Sequence, residues 1–92
     1  MDAIPAGSPA PLVAPGARLT PSLERELVDM VDDGQEVLVR VYAGWNMATT
    51  AAAKLGRKFR RRRLGVHVFT RVLAPGGPYG VWVVRETEAQ HG

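Results

Sequence analysis

Apolar side chains recur at helical spacing between Thr20 and Gly34, where they form a stripe made by Leu23, Leu27, Met30 and Val31. Thr20 suits the N-cap of this segment, and Pro21 suits the first helical position. Gly34 suits the left-handed residue that follows a helix C-terminus. This punctuation predicts a first helix that begins at Pro21.

A second helical period covers residues 46–63, directly after Gly44. Its small and apolar side chains fall in one narrow sector, formed by Ala48, Ala52, Leu55 and Phe59. Asn46 or Thr49 is the expected N-cap. Gly56 opposes a continuous helix by about 1 kcal/mol relative to Ala. The pattern still predicts a helix whose apolar sector faces a core.

Three segments, residues 36–43, 66–73 and 79–85, combine β-branched or aromatic residues with alternating polarity, which predicts strands. Residues 74–78, APGGP, connect the last two segments and predict a C-terminal β-hairpin. The element order α-β-α-β-β predicts a small two-layer α+β domain, in which two helices cover one face of a three-stranded sheet. The pattern does not determine the strand order.

Alternation along the strands also predicts two chemically different sheet faces. The face expected beneath the helices collects valines: Val37, Val39, Val41, Val66, Val68, Val72, Val81 and Val83. The opposite face mixes aromatic, basic and aliphatic groups: Leu38, Arg40, Tyr42, His67, Phe69, Arg71, Leu73, Trp82 and Val84. This division assumes that no β-bulge interrupts a strand, because one extra residue reverses the alternation beyond it.

The ends of the chain differ in composition from its middle. Residues 1–18 hold four of the seven prolines among alanines and glycines, which predicts a flexible arm. We expect a single domain over residues 19–86 and a polar tail over residues 87–92. So small a core favours a homodimer. Without a secretion signal or an apolar run of membrane-spanning length, a cytoplasmic location and no membrane partner are expected.

The most concentrated feature is KLGRKFRRRR at residues 54–63, with seven positive charges in ten positions. We call its basic residues the basic cluster: Lys54, Arg57, Lys58, Arg60, Arg61, Arg62 and Arg63. The rest of the chain carries five basic against nine acidic side chains, so positive charge is localised rather than spread over the surface. Most of the cluster lies opposite the apolar sector of the predicted helix. Such a stripe indicates a polyanionic partner.

We therefore expect nucleic-acid binding, DNA or RNA, with the second helix contacting phosphates. The best candidate contacts are Lys54, Arg57, Lys58, Arg60 and Arg61, with Arg62 and Arg63 as secondary contacts. On the exposed sheet face, Arg40 and Arg71 could meet further phosphates while bases stack on Tyr42, Phe69 and Trp82. Alternatively, two copies could pack through this face and bury Leu38, Phe69, Leu73 and Trp82.

Other functions remain open at this stage. The basic helix could dock on an acidic protein, which would make the chain an adaptor or inhibitor, or it could pair with the acidic residues 19–36. No catalytic motif is present, and a nuclease using His67, Arg71 and Tyr42 is the one enzymatic alternative. Because the chain has no cysteine and no histidine or acidic cluster at ligand spacing, neither a metal nor another cofactor is predicted.

Overall fold

The computed structural model describes residues 9–86. It contains two helices and three strands: α1 (Pro21–Asp32), β1 (Val37–Tyr42), α2 (Trp45–Arg61), β2 (Val66–Val72) and β3 (Tyr79–Arg85). This order and the antiparallel sheet confirm the predicted small α+β domain. The predicted polar tail and the first eight residues of the predicted arm lie outside the described residues.

The ends of α1 form as its sequence predicts. The Leu23 N–H donates a hydrogen bond to Thr20 Oγ1 at 3.2 Å, so Thr20 is the N-cap. At the other end, Gly34 adopts a φ of +88°. The Gln35 N–H then donates to the Met30 carbonyl at 3.1 Å, which closes the last turn in a Schellman motif.

Helix α2 is continuous through Gly56, and it begins earlier than the sequence predicts. Its N-cap is Gly44, which offers no side-chain hydrogen bond, so the predicted cap at Asn46 or Thr49 was wrong. The helix follows β1 so closely that Asn46 and Thr49 already lie inside it, as its second and fifth residues. The Thr49 hydroxyl instead donates to the Asn46 carbonyl at 3.1 Å.

The sheet has the order β1-β3-β2, so β3 lies in the centre and pairs antiparallel with both neighbours. Both helices cover one face, where a core cluster joins Leu27 and Val31 of α1 to Phe59 of α2. The sheet contributes Val37, Val39 and Val83 to this cluster. The basic end of α2 is therefore held beside α1 by a shared apolar core.

Part of the predicted flexible arm belongs to this core. The Leu12 N–H donates to the Leu38 carbonyl at 2.8 Å, and the Val13 N–H donates to the Val39 carbonyl at 2.9 Å. Val13 is only 1% exposed and packs in the same cluster as α1 and α2. The structure differs from the prediction here because β1 is an edge strand whose outer carbonyls accept these donors.

A β-bulge at Val39 changes which side chains share a face of the sheet. Leu38 lies opposite Trp82, but the next pair is Arg40 with Val81, so Val39 is the extra residue. Beyond the bulge the alternation is reversed. The predicted positions of Arg40 and Tyr42 on the uncovered face were therefore wrong, and both residues lie on the helix side.

Candidate nucleic-acid interface

Helix α2 holds five residues of the basic cluster on its outer surface, and Arg62 and Arg63 follow directly after its last residue. Its buried positions are Ala48, Ala52 and Phe59, which belong to the predicted apolar sector. Every basic residue of the cluster is exposed except Lys58, which is half-buried. The amphipathic pattern of the helix therefore places the positive charges toward solvent.

One carboxylate of α1 neutralises part of this charge. Glu24 is 7% exposed, and its Oε2 lies 2.9 Å from Lys58 Nζ. Its Oε1 accepts a hydrogen bond from Arg62 Nη1. Pairing between the acidic helix and the basic helix, one of the open alternatives, thus accounts for two of the seven cations.

The other five basic side chains make no ion pair with any residue in the described range 9–86: Lys54, Arg57, Arg60, Arg61 and Arg63. All five are exposed. Lys54 and Arg61 are separated by seven residues, which corresponds to about 10 Å along a helix. Together they form a positively charged surface, about two turns long, without an ion-pair partner in that range.

The C-terminus of α2 places Arg63 in a costly conformation. Arg63 has a φ of +55°, the left-handed region that usually requires glycine. The Arg63 N–H donates to the Arg60 carbonyl at 3.0 Å, and the Leu64 N–H donates to the Phe59 carbonyl at 3.2 Å. These bonds make a second Schellman motif, with an arginine where α1 has Gly34.

A groove of about 670 Å³ runs between α2 and β1. The bulge at Val39 brings Arg40 and Tyr42 into this groove, beside part of the basic cluster. Its basic side chains are Arg40, Lys54, Lys58, Arg61 and Arg62. Its apolar and aromatic side chains are Leu19, Val39, Tyr42, Ala51, Leu55 and Val81. The sequence assigns Arg40 and Tyr42 to the exposed sheet face and the basic cluster to the second helix. In the structure, residues from both groups line the same groove.

The predicted aromatic face is largely covered by the chain itself. Leu38 is 2% exposed and Trp82 is 7% exposed, while Phe69 and Leu73 are half-buried. The Arg71 guanidinium lies over the rings of Phe69 and Trp82, at 5.0 and 5.1 Å from their centroids. Stacked bases or a second copy would find little of Leu38 and Trp82 to contact.

Arg71 itself is engaged with a carboxylate. Its two terminal nitrogens each lie 3.5 Å from an oxygen of Glu36, in a side-by-side arrangement. Both side chains are about half exposed, so this pair contributes little to stability. It nevertheless leaves Arg71 less available to a phosphate than the unpaired arginines of α2.

The structure does not assemble the nuclease-like set that the sequence allowed. His67 stacks on Phe69 at 5.7 Å on the uncovered face, whereas Tyr42 lies on the helix side of the sheet. Within residues 9–86, no three histidine, aspartate or glutamate side chains come together as a metal site would require. His67 and Tyr42, two members of the predicted set, therefore lie on opposite faces of the sheet.

Sequence reasoning missed the role of Glu24. A signal was present, because Glu24 precedes Leu27 by three residues and Val31 by seven, the spacing of the buried stripe. Its position on that stripe could have marked it as a buried carboxylate that needs a cation. Which cation it meets depends on how α1 packs against α2.

No described helix is both long enough and apolar enough to cross a membrane. Searches of family models, curated proteins and solved structures found no match to this chain. The function must therefore be argued from the residues of the interface and their geometry.

Proposed function

We propose that this chain is a small, cytoplasmic nucleic-acid-binding protein that contacts the phosphate backbone through α2. The observation that carries the proposal is the set of five exposed cations, four on α2 and one just beyond its C-cap, without an ion-pair partner in the described range. A dense positive surface attracts a polyanion, and binding gains free energy by releasing the counterions that the nucleic acid had condensed.

The arrangement of these cations is unfavourable for the free helix. Arg57 and Arg61 are four residues apart on α2, a spacing at which like charges repel and destabilise a helix by about 0.2–0.5 kcal/mol. A bound phosphate between them would reverse the sign of this interaction. Arginine suits the role because its planar guanidinium can contact two phosphate oxygens at once.

The conformation of Arg63 supports the same proposal. A non-glycine residue in the left-handed region costs about 1–2 kcal/mol, and glycine would avoid that cost. Local rules of sequence and structure are most often broken where a side chain serves a function. An exposed arginine at this position extends the basic surface past the end of α2.

The test is fluorescence anisotropy with labelled oligonucleotides, single-stranded and duplex, from about 50 to 200 mM salt. We compare the unmodified protein with the double variant Arg57→Ala/Arg61→Ala. Each lost phosphate contact should reduce the slope of log affinity against log salt by about 0.9 on duplex DNA. The double variant should therefore lose nearly two units of slope and bind more weakly to every sequence.

The matched control is Arg25→Ala/Arg85→Ala, which also removes two positive charges but takes them from outside α2. Arg25 is exposed, and the one ion pair of Arg85 within residues 9–86 is an exposed pair with Asp32, at 2.6 Å. This control should keep most of the affinity and the slope. If both variants lose affinity and salt slope equally, net charge alone explains the binding, and a specific surface on α2 is contradicted. No binding at the lowest salt would reject nucleic acid and favour an acidic protein partner.

A further inference from the structure

The groove between α2 and β1 combines positive charge with an apolar floor. Its volume of about 670 Å³ lies within the range of about 300–1,000 Å³ that is usual for ligand sites. Among the described residues, no acidic side chain lines it. Its occupant should therefore be an anion that also has a flat or apolar part.

The positive charges of the groove differ in availability. Lys58 and Arg62 share Glu24, and one guanidinium nitrogen of Arg40 donates to the Ala17 carbonyl. Lys54 and Arg61 have no ion pair with any residue in the range 9–86. The free anion-binding capacity is thus greatest on the α2 side of the groove.

Lys54 and Arg61 belong both to the groove and to the surface proposed to contact phosphates. The groove therefore opens directly onto that surface. Its occupant can be one unit of a longer polyanion whose other phosphates lie along α2. A nucleotide has the required parts, since its phosphate can meet Lys54 or Arg61 while its base lies on the apolar floor. Bases in a duplex are stacked and paired, so only an unpaired nucleotide can enter.

We propose that this groove binds an unpaired nucleotide, and hence that the protein prefers single-stranded to duplex nucleic acid. This inference rests on the proposed function and names the substrate class of that surface. Tyr42 is the aromatic residue of the groove, positioned there by the bulge at Val39. Bulges often redirect a side chain toward a binding site. Tyr42 is the stacking partner for the base, and Leu55 and Val81 provide the apolar floor beside it.

The first test compares a labelled oligo(dT) of about 12 nucleotides, within the usual site size of a single-strand binder, with a blunt duplex of the same length. The unmodified protein should bind the single strand more tightly. Tyr42→Leu, which keeps an apolar side chain but removes the ring, should weaken single-strand binding about tenfold and leave duplex binding unchanged. Tyr42→Phe keeps the ring and should retain the preference.

A second measurement guards against a variant that fails to fold, because Tyr42 also packs against the cluster of Ala48, Ala52 and Val81. Amide chemical shifts of the unmodified protein are followed while the same oligo(dT) is added. Shifts in residues 39–42 and 51–58 support the groove. If the shifts are confined to residues 57–63, or if single strand and duplex bind with equal affinity, nucleotide binding in the groove is rejected. Phosphate binding by α2 then still holds. No binding of either oligonucleotide overturns both proposals.

Discussion

Glu24 of α1 bridges Lys58 of α2 and Arg62, the C-cap residue of that helix, with its Oε2 2.9 Å from Lys58 Nζ and its Oε1 accepting from Arg62 Nη1. The carboxylate side chain is only 9% exposed, whereas the side chains of Lys58 and Arg62 are 38% and 53% exposed. The bridge joins the two helices next to the core and lowers the positive charge on one side of the groove. It therefore links stability to the charge available to a partner.

Glu24→Gln should reduce the free energy of unfolding by about 1–2 kcal/mol. The neutral amide cannot balance the charges of the two cations. A charge-assisted hydrogen bond contributes about 1.5–3 kcal/mol to stability, and this contribution is smaller here because the cations are partly exposed to solvent. Urea denaturation measures the change. Glu26→Gln on the same helix is the matched control because Glu26 is exposed, and it should change stability by less than about 0.5 kcal/mol. Equal effects of the two substitutions would contradict a structural role of the bridge.

The same substitution should strengthen binding to a polyanion. With Glu24 neutral, Lys58 and Arg62 are free to pair with phosphates, so the salt slope should steepen by up to about two units. Anisotropy titrations at several salt concentrations measure it. Glu26→Gln makes the same change in net charge without releasing either cation, and it should leave the slope nearly unchanged. A Glu24→Gln protein that folds and binds like the unmodified protein would remove Lys58 and Arg62 from the candidate contacts.

Val13→Ala should destabilise the fold by about 2 kcal/mol, the cost of deleting two buried methyl groups and leaving a cavity. Val13 is 1% exposed although it lies in a proline-rich segment. Val72→Ala deletes the same two methyl groups at a position that is 45% exposed, so it is the control for a substitution that leaves no buried cavity. Thermal unfolding of both variants measures the difference, and Val13→Ala should have the lower melting temperature. Similar melting temperatures would mean that Val13 is not part of the folded core in solution.

Gly80→Ala and Gly56→Ala should have opposite effects. A Cβ at Gly80 would lie 2.7 Å from Leu38 Cδ1 and 2.8 Å from Trp82 Nε1, so the substitution should cost about 1–3 kcal/mol of stability. A Cβ at Gly56 meets only Val68 Cβ at 3.9 Å, an ordinary contact, and alanine favours a helix over glycine by about 1 kcal/mol. Chemical denaturation of both variants checks the signs. A destabilised Gly56→Ala protein would contradict the continuity of α2.

Arg63→Gly should stabilise the protein by about 1 kcal/mol, because glycine adopts the left-handed conformation without the steric cost that arginine incurs. If Arg63 contacts phosphate, the same variant should bind nucleic acid more weakly and lose about one unit of salt slope. Arg63→Asn is the control for conformation, since asparagine tolerates this region but carries no charge. Higher stability with unchanged binding would exclude Arg63 from the interface.

Local sequence was sufficient to predict the helices and strands of this protein and their order. Thr20 and Gly34 mark α1, and strand alternation and the loop after β2 mark the hairpin, because caps, turns and periodicity act between residues a few positions apart. The basic stripe on α2 is determined in the same way. Its angle relative to the apolar sector follows from helix geometry alone.

The candidate site needed contacts between distant segments. The bulge at Val39 places Arg40 and Tyr42 in the groove, and a bulge depends on pairing with β3 about 40 residues away rather than on the alternation within β1. The Glu24–Arg62 bond spans 38 residues. Charge density, amphipathicity and element order are properties of neighbouring residues, so the chain alone determined them. Which charges are neutralised, and which side chains share a groove, were decided only when the helices packed on the sheet.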